Sequence, residues 1–398
     1  MEGGGVSARG RPRIAMITAT YPPIPCGVGD YTALLAQALG ATSDVTILTT
    51  DEVSGHSSDG VTVIGAFSGK TPRSTLGLVD KLEEIDPDVI VVQYDPYSYG
   101  ARYAFNPYLP YVMARLRLRS RARLAAVVHE TFVEPSNVKR AVMTSWQRAQ
   151  LLVLGHAAHL LVFPVRGWVS RFRAWFPRTR LLHFPVGNNI PPIGVTREEA
   201  KRRLGISSDT LVLGLFGRGF PPSRWLRDSV ERLRRDGHEP LILHVGVGGA
   251  QVKDGSQGLP ARVVGLVSTA EASLHLSAMD IYAGHYPDGI SSRRTSALAA
   301  MAHGVPLVAT AGTATDELFF EHDGKALLLV RSADGVAYTN AIAELANSAS
   351  KRAQVGRRGA ALVDEAFSWE AIASGILNAL DGAAAGRPSH ASLASRAP

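Results

Sequence analysis

Short apolar runs rich in Val, Ile and Leu recur along the chain and alternate with stretches whose apolar positions return every three or four residues. A short run bounded by turn residues predicts a buried strand, and the amphipathic stretch after it predicts the helix that crosses back over the sheet. Seven such runs fall in the first half, at 13–18, 44–49, 61–66, 88–93, 124–129, 159–163 and 181–185. Six more follow at 211–216, 241–245, 262–264, 280–283, 306–310 and 326–330. Strand and helix in strict alternation predict parallel sheets, and the count predicts two Rossmann-like α/β domains. Between the two sets lie Gly187, Asn188, Asn189, Pro191 and Pro192, which break both periodicities and read as a linker. Helical text resumes after Thr196, a natural N-cap, and stops at Gly205. The expected organisation is a disordered tail at 1–12, a first domain at 13–190, and a linker with connecting helix at 191–207. A second domain at 208–365, a final helix at 366–380 and a disordered tail at 381–398 complete it.

Composition changes this picture little. Hydrophobic residues make up 45% and charged residues 19%, values of a globular chain long enough to bury two cores. No apolar run reaches the roughly 18 residues of a membrane span, and the first residues lack the apolar stretch of a secretory signal. The single cysteine, Cys26, has no partner for an internal disulfide. A cytoplasmic protein is the expectation. The net charge of +7 predicts an anionic partner without choosing among phosphate ligands, lipid headgroups and nucleic acid. One arginine cluster runs from Arg115 to Arg123, and a second interleaves Arg166, Arg171, Arg173, Arg178 and Arg180 with Trp168, Phe172, Trp175 and Phe176. Both fit docking at the periphery of an anionic inner membrane face. They fit equally a helix C-terminus with a solvated loop, and an amphipathic helix packed on its own domain.

In an open parallel sheet, ligands gather at the C-terminal strand ends, where loops precede helix N-termini. The run at 13–18 leads into Gly27-Val-Gly29-Asp-Tyr, two glycines that allow close backbone approach or merely a tight turn, ahead of a helix expected over 32–39. The strand at 211–216 leads into Gly217-Arg218 and on to Arg224, guanidiniums able to hold a diphosphate bidentately or to lie solvated. Gly265 and Leu266 leave the next-but-one strand. After 280–283 comes Asp288-Gly289-Ile-Ser291-Ser292-Arg293-Arg294, where either serine reads as an N-cap and both arginines fall in the first helical turn. Cations at that positive dipole end cost a few tenths to about 1 kcal/mol, a penalty that a bound anion removes. Pairing with a carboxylate such as Asp288 removes it too. In the first half, Gln93, Tyr94 and Asp95 end one strand and His129 and Glu130 the next, and they supply polar groups for acceptor or sugar contacts. A buried, hydrogen-bonded histidine is the other reading of His129.

The order of these motifs resembles the GT-B glycosyltransferases of family 4 over nearly all of 13–380. The first glycine loop, Val127-Val-His129-Glu130, Pro185-Val-Gly-Asn-Asn-Ile-Pro, Phe216-Gly-Arg218 through Arg224, and Ala300-Met-Ala-His-Gly-Val-Pro carry the likeness. The resemblance implies two Rossmann-like domains across a cleft, retaining transfer from a nucleoside-diphosphate sugar, and no bound metal or other cofactor. It casts Arg218, Arg224 and His129 as the catalytic set. Donor contacts would come from Gly27, Gly29, Gly217, Gly265, Leu266, Asp288, Gly289, Ser291, Ser292, Arg293 and Arg294, and acceptor contacts from Gln93, Tyr94, Asp95 and Glu130. Partners would be a nucleotide sugar and a sugar, lipid-linked or small-molecule acceptor, and no nucleic acid. It also implies that the final helix, entered through Phe367-Ser-Trp369, returns to the first domain. Asp86-Pro-Asp88 matches the Asp-x-Asp text of metal-dependent sugar transferases, but it opens its strand, the wrong end for a ligand. The chain departs from the family at two positions. Anchoring on Ala300-Met-Ala puts Ser291 and Ala299 where most members carry paired glutamates. That departure keeps open a non-catalytic module that binds a nucleotide sugar or a partner.

Overall fold

The computed structural model describes residues 11–382 except 25, 54, 56, 59, 100–104, 219–222 and 257; the expected tails at 1–12 and 381–398 lie largely outside them. The chain divides into two compact units. One runs to Phe184 and resumes at Trp369, and the other is Pro185–Ser368.

The first unit contains, in chain order, β1 (Arg13–Ile17), α1 (Gly27–Gly40), β2 (Asp44–Thr50), β3 (Ser57–Ser58), β4 (Val61–Phe67), α2 (Leu78–Ile85) and β5 (Val89–Tyr94). It continues through α3 (Tyr108–Arg119), β6 (Arg123–Val128), α4 (Val138–Ala157), β7 (Leu160–Phe163), α5 (Arg166–Phe172) and β8 (Arg180–His183). Its sheet has the order β3-β4-β2-β1-β5-β6-β7-β8, parallel except for the two-residue edge β3. Every residue of β5 is buried, the mark of a central strand covered by helices on both faces.

The second unit holds α6 (Arg197–Arg203), β9 (Thr210–Phe216), α7 (Arg224–Arg235), β10 (Glu239–Val245), α8 (Gly249–Gly255), β11 (Ala261–Val264), α9 (Thr269–Ser277) and β12 (Ile281–Gly284). Then come α10 (Thr295–Ala302), β13 (Leu307–Ala311), α11 (Glu317–Glu321), β14 (Leu328–Arg331), α12 (Gly335–Ala346) and α13 (Ala349–Ala366). The order β11-β10-β9-β12-β13-β14 is wholly parallel, so the chain starts in the middle, winds outward, and returns to wind the other way. That is the doubly wound pattern of a dinucleotide-binding sheet, and its reversal, between β9 and β12, is where such sheets bind ligands. The first sheet has the same reversal between β1 and β5.

Helix ends follow local chemistry. Thr196 caps α6 by accepting the Glu199 N–H, and Gly205 ends it at φ +63°. Within α7, Leu226, Ser229, Val230 and Leu233 are buried at helical spacing and leave the arginines outside. Lys201 and Asp280 form a buried ion pair at 2.7 Å that ties α6 to the start of β12. α14 (Trp369–Gly382) returns to the first unit, where Trp369 meets Tyr31 of α1 edge to face, with ring centroids 4.9 Å apart.

The second arginine cluster turns its aromatic half inward. Phe172 and Phe176 are core residues, Trp168 and Trp175 pack against them, and Trp175 stacks on Phe132 at 5.9 Å. Arg171 lies over the Phe132 ring and pairs with Glu134 at 3.0 Å. This geometry supports an amphipathic segment packed on its own unit. No helix among the described residues is long and apolar enough to cross a membrane.

Candidate functional site

At the reversal in the second sheet, β9 ends in Phe216 and passes to Gly217, whose φ of +97° suits a residue without a Cβ. The Gly217 N–H donates to the Val245 carbonyl at 2.9 Å, and a Cβ on Gly246 would run into the Gly217 carbonyl. Paired glycines thus let the ends of β9 and β10 converge beneath Arg218, which is exposed. Arg224 is the first residue of α7, after the N-cap Ser223, and is 89% exposed. Asp228 lies 3.8 Å away, one helical turn on. A cation in the first turn opposes the helix dipole, so Arg224 stands where an anion would relieve it. The residues joining Arg218 to Ser223 lie outside those described.

Across the reversal, β12 ends in Gly284 and continues through His285 and Tyr286 into the Asp288 to Arg294 loop. Tyr282 donates its hydroxyl to the Phe216 carbonyl at 3.3 Å and so links the two strand ends. Thr310 of β13 accepts the Tyr286 N–H at 2.7 Å and donates back to the Tyr286 carbonyl at 2.6 Å. Gly289, at φ +96°, lies so close to Gly312 that a Cβ would collide with the Gly312 nitrogen and the Thr315 hydroxyl. The loop is therefore clamped to β13 along its length.

Two sequence expectations change here. Neither Ser291 nor Ser292 caps a helix: α10 begins at Thr295 with Arg294 at the N-cap position. The reason is Asp316, whose carboxylate takes the Ser292 N–H at 2.6 Å and holds both serines, buried, ahead of the helix. Arg293 and Arg294 accordingly precede the first turn. Arg294 pairs with Asp288 at 2.7 Å, and its guanidinium lies 4.9 Å from the centre of the Tyr286 ring. Arg293 is exposed. Gly265 follows β11 with open space at its Cβ position, and Leu266 presents an apolar side chain that is 73% exposed.

In the first sheet, α1 begins at Gly27, five residues before the expected start, with the Asp30 N–H already donating to the Cys26 carbonyl. Gly29 is a helical residue whose Cβ would press on the Thr20 carbonyl at 3.1 Å, so its glycine serves the packing of α1 on its own loop. Gly27 has open space. Gln93 and Tyr94, read from sequence as acceptor contacts, are buried because β5 is covered on both faces. Asp95 closes a turn by accepting the Tyr97 N–H and the Ser98 hydroxyl. His129, just past β6, is half-buried, and Glu130 beside it is exposed. Asp86 and Asp88 both bind Arg13 at the opposite strand end.

Sequence reasoning missed Tyr282, His285, Tyr286 and Thr310, which build the far wall of the reversal. His285 packs edge-on against Trp225 of α7 at 4.7 Å, and burial holds its pKa below the ordinary imidazole value. The available signal was an aromatic-rich strand end, Tyr282-Ala-Gly-His-Tyr286, directly before the basic loop.

No protein-family model matches the sequence, and no curated protein matches it. Solved structures do match in fold. Sucrose-phosphate synthase from Thermosynechococcus elongatus shares 18% identity at a TM-score of 0.69, over 95% of this chain and 100% of that one. HepE of Anabaena, in complex with UDP-glucose, shares 16% at 0.64, over 93% and 100%. WaaG, a glycosyltransferase involved in lipopolysaccharide biosynthesis, shares 14% at 0.62, over 91% and 99%. The chain has the GT-B fold. Its two α/β sheets, parallel but for the edge strand β3, are those of that fold.

Proposed function

We propose that this GT-B chain transfers a sugar from a nucleoside-diphosphate donor to a hydroxyl acceptor. The observation that carries the reading is the reversal between β9 and β12, where Gly217 and Arg218 leave one strand and the Asp288 to Arg294 loop leaves the other. A diphosphate placed there meets the guanidiniums of Arg218 and Arg224. As the bond from the anomeric carbon to the leaving diphosphate breaks and the acceptor oxygen bonds to that carbon, negative charge grows on the diphosphate. Cations held against the diphosphate stabilise that growth more than they stabilise the ground state. Leu266, apolar and exposed beyond β11, offers a face to a planar base. Of the first unit's strand-end residues, His129 is assigned to sugar recognition and Asp95 and Glu130 to the acceptor. HepE was solved with UDP-glucose, which makes a uridine donor the first to try.

Incubation with labelled nucleotide sugars tests the reading, with released nucleoside diphosphate and acceptor-dependent product both followed. Arg218→Ala and Arg224→Ala should each lower turnover by about 100-fold, the scale of losing one transition-state donor, with the fold unchanged by circular dichroism. Wild-type kinetics in both variants overturn the diphosphate assignment. A second reading, a nucleotide-sugar-binding module without turnover, is favoured by one observation: Ser291 and the fully buried Ala299 leave the usual paired carboxylates absent. Binding without release of nucleoside diphosphate from any donor decides for it.

A further inference from the structure

At the reversal of the first sheet, Gln93 is a carboxamide in a strand otherwise built of Val, Ile and Tyr, and it is completely buried. Burying such a group costs free energy unless hydrogen bonds replace its lost water, and an apolar residue would fill the strand without that cost. Its oxygen is satisfied: Oε1 lies 2.8 Å from Nε2 of His129. Its amide nitrogen makes no hydrogen bond. The residue is therefore committed to one interaction, with the imidazole, at the expense of its other end.

That interaction fixes the chemistry of the ring. A carboxamide oxygen only accepts, so Nε2 of His129 carries the proton, and in the neutral ring Nδ1 holds the lone pair. Two further contacts fix the ring's place. The His129 N–H donates to the Tyr94 carbonyl at 2.9 Å, and Tyr31 meets the imidazole edge to face at 4.8 Å while Trp369 braces Tyr31 from beyond. We infer that Gln93 is a positioning residue that holds His129 as its Nε2–H tautomer, with Nδ1 the nitrogen that carries the lone pair. The role of His129 in sugar recognition rests on the glycosyltransferase reading above; the tautomer does not.

The test uses the full chain and two variants, Gln93→Leu and Gln93→Glu. Nitrogen-15 NMR of His129, assigned through a His129→Asn spectrum, should show protonated Nε2 and unprotonated Nδ1 in the wild type above the imidazole titration. Gln93→Leu should shift the ring toward mixed tautomers, and Gln93→Glu, which keeps an acceptor, should restore Nε2–H. If the Leu variant does not fold, the wild-type and Glu spectra still decide. A protonated Nδ1 in the wild type, or an unchanged ring in Gln93→Leu, overturns the inference. Once a donor is known, Gln93→Leu should lower kcat by about tenfold, as loss of an orienting partner does, with KM for the donor little changed and rescue by Glu. An equal loss in both variants shows that Gln93 serves packing instead. Absence of any transfer activity overturns the function and leaves the tautomer measurement standing.

Discussion

Arg294 shows what a single residue contributes at the edge of the proposed donor site. Its pairing with Asp288 neutralises a charge that would otherwise face the positive end of α10, and the Tyr286 ring supports the guanidinium from one side. Both partners of the pair are partly exposed, so solvent screening limits its worth to about 0.2–1 kcal/mol. On the proposed function, a diphosphate arriving at this loop competes with Asp288 for Arg294. Asp288→Asn removes the competitor and one negative charge, and should tighten binding of a nucleoside diphosphate by up to about fivefold, the same energy expressed as an equilibrium. Calorimetric titration with UDP checks this. Weaker binding of UDP in the variant shows that Arg294 takes no part in phosphate recognition.

Among the elements, α10 is joined to α9 and to the segment entering the second unit through one side chain. His303, just past α10, donates from Nδ1 to the Ala299 carbonyl at 2.7 Å, and its Nε2 accepts from the Ser273 hydroxyl, also at 2.7 Å. Ser273 accepts in turn from the Ile193 N–H at 3.1 Å. Burial lowers the His303 pKa below its ordinary 6.5, partly offset by the bond to Ala299. Because the folded value lies below the unfolded one, the unfolded chain binds the proton first. The neutral ring's contribution is then complete above pH 6.5 and is lost as pH falls from 6.5 towards the folded value. His244 and His285, also lowered by burial, act in the same direction. The melting temperature should therefore fall between pH 7.5 and 5.5, and fall less in His303→Gln; identical slopes in the two proteins would remove His303 from the account.

The strands were legible in the sequence because buried parallel strands are written as continuous apolar runs, and those runs mark all of the parallel strands seen. What escaped depends on partners distant in the chain. The start of α10 is set by Asp316, 24 residues beyond Ser292, and no local pattern announces that carboxylate. The start of α1 is glycine text with weak helical propensity, fixed by packing against the Thr20 carbonyl. The edge strand β3 is two serines, too short and polar to carry a period. The places of Gly217, Arg218 and His129 just past strand ends were legible in the apolar runs before them. The bond between Gln93 and His129 was not, since it joins two strands whose adjacency only the sheet order reveals.

For the whole molecule, the decisive feature is that the first unit is made of two pieces of chain. Within α14, Ile372, Ala373, Ile376 and Leu380 are buried, and Trp369 packs on Tyr31. A chain ending at Ser368 leaves those positions on the first unit uncovered, while the second unit, Pro185–Ser368, keeps every one of its strands. The truncated protein should show two separate thermal transitions, with only the lower one moved by truncation, and should bind a hydrophobic dye at a temperature where the full chain does not. A single unshifted transition shows that α14 adds nothing to the first unit.

During synthesis this arrangement reverses the usual order. Domains ordinarily complete themselves from the N-terminus as the ribosome releases them. Here the first unit waits for a helix that follows the whole second unit in the chain, and the unit translated in between is the first to have all its parts. For that interval Tyr31 and the surface of α1 around it are an unsealed seam on a nascent chain, a place for a chaperone rather than for a substrate.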